Sequence, residues 1–302
     1  HWDLDSGSER QLALERRTYL ISTLVGWSLA SVAVSLLLYV HNAELLSSQF
    51  VGAMCATGVL NAAPLGWPTL FLKIALFFAG STWLLLERVD NQAPDYPLVR
   101  VKYGLLLALL PLVGLGAAAQ LLFFLGLDPD VITSCCGALF TPESGGAAAT
   151  VSGFDPALSL LALYLGGIAV LNGGLMYLHH RRSGTAFTVA AAAAFLTAIA
   201  GIVSAVALYV YEHPHHHCPF CVLKPGHGFI GYWLYLPLLA ATALSLGVGL
   251  ISHWRRVPSL ATVIEADGGR FASAALVLFG IFYVVATYAV VGSGLTMEGV
   301  WW

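Results

Sequence analysis

Residues 185–211, TAFTVAAAAAFLTAIAGIVSAVALYVY, run for 27 positions without one charged side chain. At 1.5 Å per residue a helix over this stretch reaches about 40 Å, more than the ~30 Å hydrocarbon core of a bilayer. Its few hydroxyls can bond back to the helix's own carbonyls, so no face of it requires bulk water. The rest of the chain follows the same pattern. Apolar stretches long enough to span recur at about 19–40, 67–86, 104–126, 156–178, 231–252 and 271–293. Of the 302 residues 58% are hydrophobic and 10% charged, with mean hydropathy +0.81. A soluble domain carries about 25% charged residues, so this surface must meet lipid. The expected fold is an all-α polytopic bundle of about seven transmembrane helices, a single integral membrane domain over 1–302. Residues 1–18 read as an amphipathic N-terminal segment with Ser6 and Glu9 spaced as a capping box. The stretch 51–60, VGAMCATGVL, is too short to span and reads as re-entrant or interfacial.

The basic residues orient the bundle. With the N-terminus inside, the inner side holds Arg10, Arg16, Arg17, Arg88, Arg100, Lys102, Arg181, Arg182, Arg255, Arg256 and Arg270, 11 of the 13 Lys and Arg. The outer loops keep only Lys224, and Lys73 falls within the second span. By the positive-inside rule the N-terminus is cytoplasmic, the C-terminus external, and the location a bacterial inner membrane. The outer acidic residues Glu44, Asp128, Asp130, Glu143, Asp155, Glu212 and Glu298, set against Lys224, sum to −6.

That topology places every cysteine outside. Cys55 lies between the first two spans, Cys135 and Cys136 between the third and fourth, and Cys218 and Cys221 between the fifth and sixth. The loop 212–228, EHPHHHCPFCVLKPGHG, gathers His213, His215, His216, His217 and His227 around Cys218 and Cys221. Thiolate and imidazole select soft or borderline metals, and a Cys-x-x-Cys turn presents two sulfurs to one ion. The leading expectation is a metal-handling membrane protein. It holds copper or zinc on Cys218, Cys221 and the neighbouring histidines, with Cys55, Cys135 and Cys136 as further ligands or a relay, and is accessory to a transporter or metalloenzyme assembly. The same Cys-Pro-Phe-Cys can serve as a redox dithiol, with Cys135/Cys136 as a second pair. The competing expectation is therefore a membrane thiol–disulfide oxidoreductase linked to quinone. A third is a non-catalytic membrane subunit of a larger respiratory or transport complex. Each implies a protein partner within the membrane or on the periplasmic face.

Lys73 is a candidate cofactor contact, for an anionic headgroup or quinone, because a charge inside a span is expensive. Gln120 and Asn172 can hydrogen-bond between helices, and Gly166, Gly167, Gly173 and Gly174 suit close helix packing. Several classes are disfavoured. There is no basic patch with interleaved aromatics for nucleic acid, no Walker or GxGxxG motif, no Cys-x-x-Cys-His, and no mid-membrane histidine pair for a b-type haem.

Met54-Cys55, Ser134-Cys135-Cys136-Gly137 and His217-Cys218-Pro219-Phe220-Cys221 make the chain resemble bacterial polytopic membrane proteins that carry these elements on the outer face. The Cys-x-x-Cys at the outer start of a helix, with a second cysteine pair, is also similar to quinone-linked disulfide-forming proteins of the vitamin K epoxide reductase type. That likeness implies thiol–disulfide exchange coupled to quinone.

Overall fold

The computed structural model describes residues 8–128, 130–133, 147–181 and 183–296. Its elements are α1 (Glu9–Leu46), α2 (Ala56–Ala62), α3 (Gly66–Asp90), α4 (Val99–Leu125), α5 (Ala147–Ser152), α6 (Pro156–His180), α7 (Gly184–Gly201), α8 (Ala207–Tyr211), α9 (Ile230–Ser252) and α10 (Pro258–Val291). A π-helical turn, Ile202–Val206, joins α7 to α8 as one span. Seven helices are long and apolar enough to cross a membrane, and no strand occurs among the described residues. The protein is a multi-pass, all-α membrane bundle.

Two helix starts differ from the sequence reading. α1 runs unbroken through position 18 and begins at Glu9, with Ser8 Oγ accepting from Gln11 N at 3.4 Å. No proline or glycine interrupts ERQLALERRTYL, so the charged segment simply extends the span beyond the bilayer. Ser6 lies outside the described residues. The last span, expected over about 271–293, belongs to an α10 that already starts at Pro258 in its first turn, so Gly268 and Gly269 sit inside the helix. These glycines make room for neighbours: a Cβ on Gly268 would fall 2.3 Å from Tyr177 Oη, and one on Gly269 as close to Arg181 Nη1.

α3 and α9 run through the centre, α3 packing on α1, α4 and α9, and α9 on α7 and α10. The small face of α6 behaves as its glycines suggest, Gly166 lying against Ala194 and Thr197, and Gly167 against Tyr283. Asn172 instead bonds back to Ile168 O within its own helix. The apolar core divides in two. The larger cluster runs from Leu86 and Val89 through Phe187, Val248 and Phe279. The smaller lies at one end and contains Leu36, Tyr39, Phe50, Val59, Phe123 and Phe220 together with Cys55, Cys218 and Cys221.

Candidate functional site: a buried three-thiol centre

α2 is the floor of the site. Phe50 to Ala53 turn with Gly52 at φ +86, where a side chain is strained and a Cβ would strike Thr133 O at 2.2 Å. The chain then enters α2 with Cys55 in extended backbone at its cap position. Glu44, near the end of α1, supplies the missing cap: its Oε2 accepts from Ala56 N at 2.8 Å. Its Oε1 lies 3.3 Å from Lys224 Nζ, and Lys224 also donates to Met54 O. One ion pair thus ties α1, α2 and the Cys-Pro-Phe-Cys loop together. Burial works against charging Lys224, but Glu44 and the thiols of Cys221 and Cys55 outweigh it and hold the pKa above its ordinary value.

The second wall is the loop after α8. Tyr211 Oη donates to Cys218 O at 2.5 Å and Tyr235 Oη to Pro219 O at 2.7 Å. Lys224 N bonds to Cys221 O at 3.1 Å, closing a tight turn over Cys221–Leu223. Together these hold Cys218 Sγ 3.4 Å from Cys55 Sγ and 3.3 Å from Thr57 Oγ1. The three sulfurs of Cys55, Cys218 and Cys221 all lie within 4.8 Å of one another and are buried. Positions 55 and 218 are 163 residues apart, so this convergence is a product of the bundle.

The histidines are placed differently. His217 is buried, and its Nδ1 donates to Val203 O at 3.0 Å. Val203 lies in the π-helical turn, where the regular backbone pattern is interrupted and a carbonyl can accept from outside the helix. Burial, with His215 and His216 nearby, pushes the His217 pKa down despite that carbonyl. His213 and His215 are exposed, and His213 Nδ1 accepts from His215 N at 3.2 Å. His216 and His227 pack on Tyr211, with ring centroids 4.1 and 4.8 Å away. Among the described residues the group able to share one ion is the three thiols, without an imidazole. Cys135 and Cys136 lie outside the described residues. The chain before them is docked on the floor of the site, Thr133 Oγ1 donating to Gly58 O at 2.7 Å. Lys73 is buried between α1 and α3, donating to Ser35 Oγ at 3.0 Å with its ammonium 5.6 Å from the Tyr39 ring centre.

Beside the thiols lies a cavity of about 570 Å³, bounded by α1, α3, α5, α7 and α9. Pro219, Phe220 and Leu223 of the cysteine loop form one wall. Trp67, Phe71 and Tyr235 add aromatic surface, and Leu36, Leu70 and Ile74 line its membrane side. His41 and Glu44 are its imidazole and carboxylate. The size falls within the ~300–1,000 Å³ of small-molecule sites, and the lining is as apolar as such sites usually are. Lys73 is not in that lining. Sequence reasoning did not find Thr57, Tyr211, Tyr235 or this cavity. The nearest signal was the aromatic density of Trp67, Phe71 and Phe220 at the outer helix ends.

No protein family, curated protein or solved structure matches the chain. What the fold and site define is a class: a multi-pass helical membrane protein with a buried three-thiol centre that could hold a metal ion.

Proposed function

We propose that the centre performs thiol–disulfide exchange at the periplasmic side of a bacterial inner membrane, between an outer-face protein partner and a quinone held in the adjoining cavity. The observation that carries this is the juxtaposition of three buried sulfurs with an apolar cavity walled by the same Cys-Pro-Phe-Cys turn. The step balances simply. The Cys218 and Cys221 thiols close to a disulfide, releasing two electrons and two protons, and the quinone takes both to become a hydroquinone. Thiolate Cys55 then attacks Cys218 Sγ, forming the 55–218 bond while Cys221 leaves as thiolate. The 3.4 Å separation puts that attack within about 1.4 Å of the ~2.05 Å bond length. Cys135 and Cys136 are the pair through which Cys55 exchanges with the outside partner.

The three-sulfur geometry favours one second reading, a soft-metal site, with copper or zinc held by Cys55, Cys218 and Cys221. Sulfurs about 2.3 Å from one tetrahedral zinc stand roughly 3.8 Å apart, close to the spacing observed here. In that reading Cys135 and Cys136 are further ligands, and the exposed His213 and His215 serve capture at the surface.

One preparation separates the two. The untagged, reduced full chain is analysed for metals and its thiols are alkylated across a series of redox potentials. Exchange predicts no stoichiometric metal and joint loss of Cys218 and Cys221 labelling as the potential rises. Metal handling predicts about one ion per chain, with thiols protected until a chelator is added. Thiols locked in one state in a metal-free protein overturn both readings.

A further inference from the structure

A second built pocket lies at the other end of the bundle. α10 is 34 residues long, about 51 Å, far more than the ~30 Å hydrocarbon core. Its uncharged part, 271–291, covers about 32 Å by itself. The turns from Pro258 to Arg270 therefore stand at headgroup level, where α6 also ends, at His180 with Arg181 as its cap. Between them opens a cleft of about 750 Å³ lined by Arg181, Thr262, Glu265, Arg270 and Ser273.

Arg181 is fixed in this cleft rather than waving above it. It caps α6 in left-handed backbone at φ 55, and its carbonyl accepts from Arg255. Its guanidinium fills the space a Cβ on Gly269 would need, so the glycine is a seat for it. Nη1 is buried and has no hydrogen-bond partner among the described residues. That nitrogen is packed against Gly269, while the rest of the half-buried side chain lines the cleft, so an anion entering it meets a cation already held in place. Asp267 is not that anion, because Arg88, Arg270 and Gln92 already occupy its carboxylate at 3.0, 3.1 and 2.6 Å. From Ser273 the same face of α10 continues through Val277, Gly280 and Val284. The two valines are exposed, and a Cβ on Gly280 would meet nothing within 4 Å. A polar pocket at headgroup level thus continues into an exposed apolar strip on α10.

We propose that this cleft binds the phosphodiester of an anionic phospholipid from the leaflet on the arginine side. Arg181 and Arg270 take phosphate oxygens, Thr262 and Ser273 face the glycerol region, and one acyl chain lies along Val277–Val284. Glu265 on the rim disfavours a second anion.

The full chain in mixed phosphatidylcholine and phosphatidylglycerol vesicles, extracted and weighed by native mass spectrometry, tests this. The wild type should keep one phosphatidylglycerol in preference to phosphatidylcholine. Arg181→Gln with Arg270→Gln should weaken that retention roughly 25-fold, about fivefold per arginine. Gly280→Leu, which adds bulk only in open space, should lower retention while leaving both arginines in place. Arg10→Gln with Arg16→Gln, at the same end but outside the cleft, should change nothing. Equal retention of the two lipids overturns the proposal, as does an equal loss in the Arg10/Arg16 variant or unchanged retention in the Arg181/Arg270 variant. Displacement of the lipid by millimolar inorganic phosphate, with no lipid preference left, would assign the pocket to free phosphate and overturn it as well.

Discussion

At the arginine end of the bundle Lys102 is 2% exposed and lies 2.7 Å from both Glu87 and Asp90. Asp267 nearby, fully buried, is bound by Arg88, Arg270 and Gln92. At the thiol end the buried reactive groups are Cys55, Cys218 and Cys221, packed with Leu36, Phe50 and Phe123, and the ion pair that reaches them, Lys224–Glu44, is partly exposed. One end therefore fixes its helices with compensated charge. The other leaves sulfur in an apolar setting, held mainly by hydroxyl-to-carbonyl bonds from Tyr211 and Tyr235. Buried ion pairs tolerate no loss of a partner, whereas thiol–disulfide exchange replaces one sulfur–sulfur bond by another and passes the thiolate charge along. The difference suits a rigid anchor at one end and exchange chemistry at the other.

The largest break in this comparison should come from Lys102→Met. It strands two buried carboxylates and should destabilise the protein by about 3–5 kcal/mol, read as denaturant unfolding of the full chain in detergent. A loss below about 1 kcal/mol would show that the carboxylates are hydrated and the anchor is not one. Next is Gly231→Ala. A Cβ there would meet Val222 Cγ2 at 2.7 Å and Leu223 Cδ2 at 2.8 Å, pushing the cysteine turn off α9. The expected cost is about 1–3 kcal/mol, with slower Cys55–Cys218 crosslinking by a mild oxidant. Unchanged crosslinking would mean the turn is not positioned by α9.

The bundle was legible because lipid leaves little choice: spans need apolar length. The thiol end was legible only as a list of residues. Clustering Cys218, Cys221 and five histidines in one loop suggested a mixed ligand set, but adjacency along the chain does not make side chains converge. His217 turns to the π-helical carbonyl of Val203, His216 and His227 to Tyr211, while Cys55 arrives from 163 residues away. The cavity was invisible for the same reason, since its walls come from five helices and no local pattern marks a gap between them. Arg181 and Gly269 are likewise a contact between two elements, seen only once α6 and α10 are packed.

A smaller effect tests whether the exposed ion pair matters to the thiol end at all. Lys224→Met removes the pair with Glu44 and the bond to Met54 O, and at a partly exposed site should cost less than about 1 kcal/mol. Its consequence should be local, a lower rate of Cys55–Cys218 crosslinking with little change in unfolding. A loss as large as that of Lys102→Met would erase the contrast between the ends.

The smallest expected effect is a dependence on pH at the rim of the thiol loop. Partial burial, then His216 and Lys224, hold the His227 pKa below its usual value near 6.5. The unfolded chain takes up a proton near 6.5, while the folded loop does so only at lower pH. Between those two values the unfolded state binds more protons, so stability falls as pH falls, and above 6.5 His227 contributes no slope. Hydrogen exchange resolved over 212–229 should therefore quicken as pH is lowered from about 7 to 5.5, after correction for intrinsic exchange. His227→Gln should flatten that trend. A slope that survives the substitution would place the proton uptake elsewhere in the loop, first on His217, whose pKa burial also lowers.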